Sequence, residues 1–179
     1  MASSTMINLR NIHPIAATAA ILKDHRLAFN VPGTPFIEPS WASVEEETGS
    51  TVHGVLYKLT ENDFAKVCQS EGVPFAYRLH RCNVIPYIGN GQDAGSQTSS
   101  KGIETVSAFT LIAGRKQWRQ SKDTPPSQAY LNVLKRGAKE FLLDESYVKY
   151  LESIESADTI FGDGIAEKML QFVELRKQQ

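Results

Sequence analysis

The sequence predicts one domain of the α+β class over residues 1–179. Segments rich in β-branched and aromatic residues are followed by segments whose apolar residues recur at helical spacing, so that strands precede most of the helices. The 179 residues, 41% of them hydrophobic, are enough to bury one core. The sequence contains no internal repeat.

Two strands and two loops are predicted in the first third of the chain. The strands cover residues 25–31 and 52–59, and the loops cover residues 32–35 and 45–50. Pro32, Gly33 and Pro35 interrupt any regular element and therefore predict the first loop. In the second strand Val, Leu and Tyr side chains occupy both faces around Gly54, so we expect it to be buried on both faces.

The first helix is predicted to begin after Thr60. The threonine hydroxyl can cap the helix, and Asp63 follows three positions later, which is a variant of the capping box. Gly72 is suited to the left-handed conformation that ends a helix. Glu71 is therefore expected at the C-terminal end, where the negative end of the helix dipole disfavours a carboxylate.

The second half of the chain is predicted to contain two strands and three helices. These elements are strands over residues 77–85 and 105–113, a long loop over residues 89–102, a helix after residues 125–127, and helices over residues 145–154 and 165–176. The Pro-Pro-Ser sequence at 125–127 closes a turn and supplies the N-cap of the longest helix.

Charge and hydropathy exclude several classes of protein. The formal net charge is −1, with 19 basic and 20 acidic residues that form no basic stripe, so nucleic acid is not expected as a partner. The longest apolar runs are far shorter than the roughly 18 to 20 residues that cross a bilayer. The N-terminus lacks the pattern of a secretory signal, and we therefore expect a cytoplasmic protein.

The cysteines and histidines show no ligand spacing. Cys68 and Cys82 belong to no Cys-x-x-Cys or Cys/His cluster, and we interpret both as reduced packing residues. The sequence has four histidines, at positions 13, 25, 53 and 80. None is spaced for metal binding or for a Ser/His/Asp triad, so we predict no metal site.

Three polar residues are candidates for chemistry. A carboxyl group such as Glu71, at a helix end beside apolar residues, can act as a general acid or base near neutral pH; the alternative is a solvated glutamate. Ser127 and Tyr130 lie in the first turn of the long helix, where a hydroxyl and free backbone N–H groups can hold an anion or a carbonyl oxygen. Capping and core packing are the alternative interpretation of these two residues.

Three stretches, in this order, resemble the γ-glutamyl cyclotransferase-like family, which includes the AIG2-like proteins. They are residues 52–57 (VHGVLY), residues 71–73 (EGV), and residues 125–130 (PPSQAY) with Gly137 and Ala138 downstream. Residues 26–30 also look like the second strand of that family. The resemblance implies a small mixed β-barrel or sheet with flanking helices.

The resemblance also implies an activity. In the family the α-amine of a γ-glutamyl compound attacks its own γ-carbonyl and releases 5-oxoproline and an amine, with no metal or organic cofactor. The glutamate of the Glu-Gly motif is the catalytic acid/base, which implies that role for Glu71. The matching residues implied to bind substrate are Tyr130 and Gly72.

The N-terminus departs from the family pattern. Members begin with a strand and a Tyr-Gly-Ser-Asn loop that cradles the γ-glutamyl group, whereas this chain begins where that loop would end, which suggests a truncated chain, an alternative start or an incomplete gene model. A second hypothesis is therefore a non-catalytic member or truncated remnant that acts as a ligand-binding or interaction domain. The residues do not identify the γ-glutamyl substrate, the pathway or the oligomeric state.

Overall fold

The computed structural model describes residues 3, 5–34, 36–88, 104–114, 119–158 and 168. The elements in chain order are a π-helical turn (Thr5–Leu9), β1 (Ala16–Pro32), β2 (Ser40–Lys58), α1 (Glu61–Ser70), β3 (Tyr77–Tyr87), β4 (Val106–Ala113), α2 (Gln128–Glu140) and α3 (Glu145–Ser153). The strands form one antiparallel sheet in the order β2-β1-β3-β4. This architecture confirms the α+β class.

The predictions for the second half are confirmed where the structure describes the chain. Strands β3 and β4 and helices α2 and α3 lie within two residues of the expected bounds. The hydroxyls of Thr60 and Ser127 accept hydrogen bonds from the third residue after each of them, so both predicted caps form. The predicted loop at 89–102 and, apart from residue 168, the predicted helix at 165–176 lie outside the described residues.

Strand β1 is much longer than predicted. Its first half is rich in alanine, a residue with weak β propensity, which is why residues 25–31 alone suggested a strand. Ala19 and Ala20 are nonetheless buried on opposite faces, Ala19 against Tyr87 and Ala138, and Ala20 against Val84. Small side chains let the neighbouring elements approach closely, so tertiary packing overrides the local preference.

The loop predicted over residues 45–50 is wrong in form. Glu45 and Glu46 are paired with β1, and residues 47–50 bulge out of β2 opposite Asp24 alone. The Asp24 carboxylate accepts a hydrogen bond from the Gly49 N–H at 2.9 Å, which holds the bulge. The strand after the bulge is half-buried over residues 52–57, and not fully buried on both faces as predicted.

The main core lies where α2 and α3 cover the sheet. Its buried members are Ala19, Tyr87, Ala138, Leu143, Tyr147 and Leu151. His53 of β2 joins this core, because its ring stacks on Tyr147 at a centroid separation of 4.8 Å and its Nδ1 lies 3.1 Å from Tyr87 Oη. The two cysteine thiols are free and half-buried, and burial raises the pKa of both.

His53 makes the stability of the fold depend on pH. Burial lowers its pKa, and the negative charge of Asp144 opposes this effect. In the unfolded chain this histidine is protonated near pH 6.5, whereas in the folded chain it is protonated only at lower pH. The free energy of unfolding therefore falls as the pH decreases below about 7. Urea unfolding measures this effect at about pH 7.5 and about pH 5.5. The decrease in the free energy of unfolding between these pH values should be smaller for His53→Phe than for the parent chain.

The exposed His13 provides the control for this titration. A His13→Phe variant is expected to keep the full loss of stability at low pH. Equal pH dependence in the parent chain and in His53→Phe would contradict the assignment.

None of the helices in the described part of the chain is long and apolar enough to cross a membrane.

Candidate active site

Glu71 is the C-cap residue of α1, as predicted. The Gly72 N–H donates to Gln69 O at 3.1 Å and the Val73 N–H donates to Cys68 O at 3.0 Å, the two bonds of a Schellman motif. Gly72 has a φ of 66°, which confirms the predicted left-handed stop. Helix and turn together fix the backbone from which the Glu71 side chain projects.

The Glu71 side chain is largely covered and pairs with Arg10. Its Oε1 accepts a hydrogen bond from Arg10 Nη1. The side chain of Glu71 is 11% exposed and that of Arg10 is 4% exposed. Among the described residues Oε2 has no hydrogen-bond partner. One oxygen is therefore anchored by a cation, while the second makes no hydrogen bond to a described residue.

Arg10 was not a candidate in the sequence, because it lies 61 positions from Glu71. It follows the π-helical turn, which is closed by a hydrogen bond from the Ile12 N–H to Met6 O at 2.9 Å. Lys66 ties the same segment to α1, donating to Asn11 O at 3.2 Å. The segment that carries Arg10 is thus held against the helix that carries Glu71.

Gly72 has a backbone role in this turn. Its N–H is used by Gln69, and its carbonyl accepts from both Phe75 and Ala76, at 2.8 and 2.9 Å. A Cβ at this position would lie 3.3 Å from the Ala76 side chain. Its polar groups are therefore engaged in the turn, and substrate binding by Gly72 stays a prediction that depends on close approach to its Cα.

Replacing Gly72 by alanine is expected to lower the free energy of unfolding by about 1–2 kcal/mol, because an alanine with positive φ is strained. Gly54→Ala is the matched control, since an added Cβ there would meet no atom within 4 Å. Urea denaturation should show a change below about 0.5 kcal/mol for this control. Equal stability of the parent chain and Gly72→Ala would argue against this turn.

Tyr130 lies at the start of α2 and is packed against β2. Its ring contacts Trp41 edge-on at 5.0 Å, and its hydroxyl accepts from the Ala42 N–H at 3.3 Å. Tyr77 donates to the carbonyl of Ala42 at 2.8 Å. Two tyrosine hydroxyls therefore hold the same residue of β2.

The structure links the Glu-Gly turn to Tyr130 through Trp41 without a direct contact between them. Trp41 packs against the same buried cluster as Val73 of the turn, and on its other side its ring contacts Tyr130. Among the contacts of the described residues, none joins Glu71 and Tyr130. The two predicted site residues thus border a common cluster, and each has its own support.

The buried carboxyl group of Glu38 was missed by sequence reasoning. It is 1% exposed and accepts hydrogen bonds from the Ser127 N–H at 2.9 Å, from Ser127 Oγ and from the Ser40 N–H at 3.4 Å. Burial raises the pKa of Glu38, and the bonds from Ser127 and Ser40 oppose this. The backbone of Gly33 lies against that of Glu38, since a Cβ at Gly33 would lie 1.8 Å from the Glu38 carbonyl oxygen. The sequence pattern did not indicate this contact.

Glu38 determines how α2 begins, and with it the position of Tyr130. Ser127 is bound by Glu38 and accepts from the Tyr130 N–H at 3.0 Å, so carboxyl group, cap and tyrosine form one chain of hydrogen bonds. Ser127 is 1% exposed. Its burial and its hydrogen bonds support the interpretation of Ser127 as a helix cap.

A cavity of ≈ 560 Å³ lies elsewhere in the described structure. Arg26, Asp123 and Tyr150 are among the residues that line it, whereas Glu71 and Tyr130 are not. Arg26 is held there by Asp123 at 2.6 Å and by Glu45. The cavity and the turn that carries Glu71 are therefore separate parts of the described structure, and the candidate site is the region around Glu71.

The fold is that of known γ-glutamyl cyclotransferases. A solved structure described as a gamma-glutamyl cyclotransferase superposes with a TM-score of 0.66 at 19% sequence identity, covering 93% of this chain and 89% of that chain. Residues 51–151 match the sequence profile of the AIG2-like family. This match covers more than half of the chain, and the chain therefore belongs to the AIG2-like family.

Two curated relatives carry related names. Gamma-glutamyl cyclotransferase gliK of Claviceps purpurea is 33% identical over 157 residues, covering 84% of this chain and 64% of the fungal protein. Gamma-glutamylcyclotransferase of Bos taurus is 27% identical over 156 residues, covering 85% of this chain and 73% of the bovine protein. The chain thus spans a little less than two thirds of the length of the fungal relative.

Proposed function

We propose that this protein is a γ-glutamyl cyclotransferase that converts a γ-glutamyl amino acid, peptide or amine to 5-oxoproline and the free amine. The observation that carries the proposal is the Glu71 carboxylate, anchored by Arg10 through one oxygen and free of described partners at the other. Membership of the AIG2-like family and the names of the relatives support the same reaction class.

The proposed reaction is an intramolecular acyl transfer. A bond forms between the α-nitrogen and the γ-carbon, and the bond between the γ-carbon and the leaving nitrogen breaks. Glu71 accepts a proton from the α-ammonium group and later donates it to the leaving nitrogen, while the ring nitrogen loses a second proton to solvent and the released amine takes one up, so the enzyme returns to its starting state. Nucleophile and electrophile belong to one molecule, so proximity requires only that the substrate be held in a folded conformation.

Two further residues are assigned roles in this proposal. We assign substrate binding to Tyr130, which hydrogen-bonds to Ala42 and Ser127, and to Gly72, which lacks a side chain at the turn that carries Glu71. No metal ion or organic cofactor is required for this chemistry. The ion pair with Arg10 keeps the carboxylate in one orientation, which a proton-transfer group needs.

The setting of the reaction belongs to the same proposal. A γ-glutamyl compound is the substrate class, and groups derived from glutathione on sulfur-containing metabolites are one candidate within it. The site around Glu71 does not define the leaving group, because the proposed contacts are directed at the γ-glutamyl half. We expect the reaction to take place in the cytoplasm.

The experiment is to incubate the folded chain with a panel of γ-glutamyl amino acids and to measure 5-oxoproline and the released amino acid. Equal amounts of both products are expected. Calorimetry measures whether the same compounds bind. It thereby distinguishes an enzyme from the rival hypothesis of a non-catalytic binding domain, which predicts binding without product. Binding without product, or neither binding nor product in a chain that is folded by circular dichroism, would overturn the proposed activity.

A further inference from the structure

Three potential metal ligands from three neighbouring strands meet at one face of the sheet. His25 of β1 is the register partner of Glu46 of β2, and His80 comes from β3. The rings of His25 and His80 are 5.7 Å apart between centroids. One ligand atom from each of the three residues lies within 4.8 Å of the other two.

The hydrogen bonding of His25 selects the tautomer that a metal ion requires. Its Nδ1 lies 2.7 Å from the carbonyl oxygen of Lys23, which can only accept, so Nδ1 carries the hydrogen. In the neutral ring Nε2 then presents a lone pair. His25 is only 9% exposed, and Nε2 is buried with no hydrogen-bond partner in the described part of the chain.

A histidine whose Nδ1–H is bound by a backbone carbonyl is the usual arrangement of a metal-ligating histidine. A buried acceptor without a partner is unfavourable, because it loses its hydrogen bonds to water on folding and forms none within the protein. Coordination would satisfy Nε2 of His25. The fold therefore contains an oriented ligand, with a second imidazole and a carboxylate beside it.

We propose that His25, His80 and Glu46 form a binding site for a divalent first-row transition-metal ion such as Zn²⁺. Two imidazoles and one carboxylate suit such ions, whereas Ca²⁺ and Mg²⁺ require mainly oxygen ligands. A bound ion would link β2, β1 and β3, and its remaining position would be open to water or to a small ligand.

The geometry requires only small side-chain movements. Ligand atoms about 2.0–2.1 Å from a tetrahedral ion are separated from one another by about 3.3 Å. The three ligand atoms now lie within 4.8 Å of one another, so their separations have to decrease by at most about 1.5 Å. Rotation of the exposed Glu46 and the half-buried His80 side chains can provide this movement. His25 is already fixed by Lys23, so the site would form around it.

The surrounding charges make Glu46 essential. The three ligands border a cavity of ≈ 330 Å³ that is also lined by Arg78, Arg119 and Glu45. Arg119 pairs with Glu45, with 3.0 Å between Nη1 and Oε1, and Glu45 also pairs with Arg26. Arg78 remains as a cation beside the site, so a bound ion needs the negative charge of the Glu46 carboxylate.

This inference does not depend on the proposed cyclotransferase activity, since its readout is metal binding. The test is calorimetric titration of ZnCl₂ into the full chain, prepared without an affinity tag and treated with chelator. Saturable binding of one ion per chain is expected. Co²⁺ bound to the same site should give the visible absorption of a coordinated ion with nitrogen ligands, which provides an independent signal.

Two variants and one control assign the ligands. His80→Ala and Glu46→Gln are each expected to weaken Zn²⁺ binding at least about tenfold, the lower end of the loss seen even for outer-shell partners. Glu46 is exposed, so its variant keeps the fold. His13→Ala, at an exposed histidine outside the cluster, should bind as the parent chain does.

Absence of one-to-one binding would overturn the proposal. Binding that is equally strong in the parent chain, in Glu46→Gln and in His80→Ala would also overturn it, since the ion would then be bound elsewhere on the surface.

Discussion

Replacing Glu71 by glutamine is expected to lower the turnover of a γ-glutamyl substrate by about 10²- to 10⁴-fold, the usual contribution of a general acid/base. The amide cannot accept a proton from the α-ammonium group at neutral pH. Its carbonyl oxygen can still accept from Arg10 Nη1, as Oε1 does in the parent chain. Loss of the negative charge also lowers stability, so the rates are compared per folded chain, and kcat should fall more than the affinity for substrate.

Glu61→Gln is the matched control for this prediction. Glu61 is exposed at the opposite end of the same helix, so the variant makes the same chemical change away from the site. Its turnover should equal that of the parent chain within about twofold. Comparable rates of 5-oxoproline release from Glu71→Gln and the parent chain would remove Glu71 from the mechanism.

Replacing Arg10 by methionine is expected to lower the free energy of unfolding by about 3–5 kcal/mol, measured by urea denaturation. Both charges of the Arg10–Glu71 pair are almost fully buried, so removing the guanidinium leaves the carboxylate without its counter-charge. Lys149→Met gives the comparison for an exposed pair, because the side chains of Lys149 and Glu145 are 71% and 66% exposed. That change should cost about 1 kcal/mol or less.

The double variant Arg10→Met/Glu71→Gln distinguishes loss of the ion pair from loss of packing. If the missing counter-charge causes the instability, removing the carboxylate charge as well recovers a large part of the lost stability, and the two effects are not additive. Strict additivity of the two single variants would contradict a coupled ion pair. Activity should be low in both Glu71 variants regardless of stability.

Local sequence signals predicted the elements around Glu71 well. Thr60, Glu71 and Gly72 are the cap, end and stop of α1, and each acts within a few residues of its own position. Such interactions depend on backbone groups close in sequence, which is why a pattern of residue types reveals them. The N-cap of α2 at Ser127 was predictable for the same reason.

The partners that determine the electrostatics of the site were not predictable in this way. Arg10 reaches Glu71 across 61 positions, and Glu38 reaches Ser127 across 89. Both contacts depend on how separate elements pack. His25 and His80 likewise meet only through strand register, because residue spacing along one chain segment carries no information about cross-strand neighbours. The alanine-rich half of β1 was missed because packing, not propensity, makes it a strand.

The measurement that tests the proposed reaction most directly uses a γ-glutamyl amino acid labelled with ¹⁵N at its α-amine. Mass spectrometry of the products follows where that nitrogen goes. Intramolecular cyclisation predicts that the parent chain releases 5-oxoproline with the label retained in its ring, together with unlabelled free amino acid, and that Glu71→Gln releases neither above background. Labelled glutamate as the main product would indicate hydrolysis, and no product from the folded parent chain would indicate a binding domain; either result would contradict the assignment.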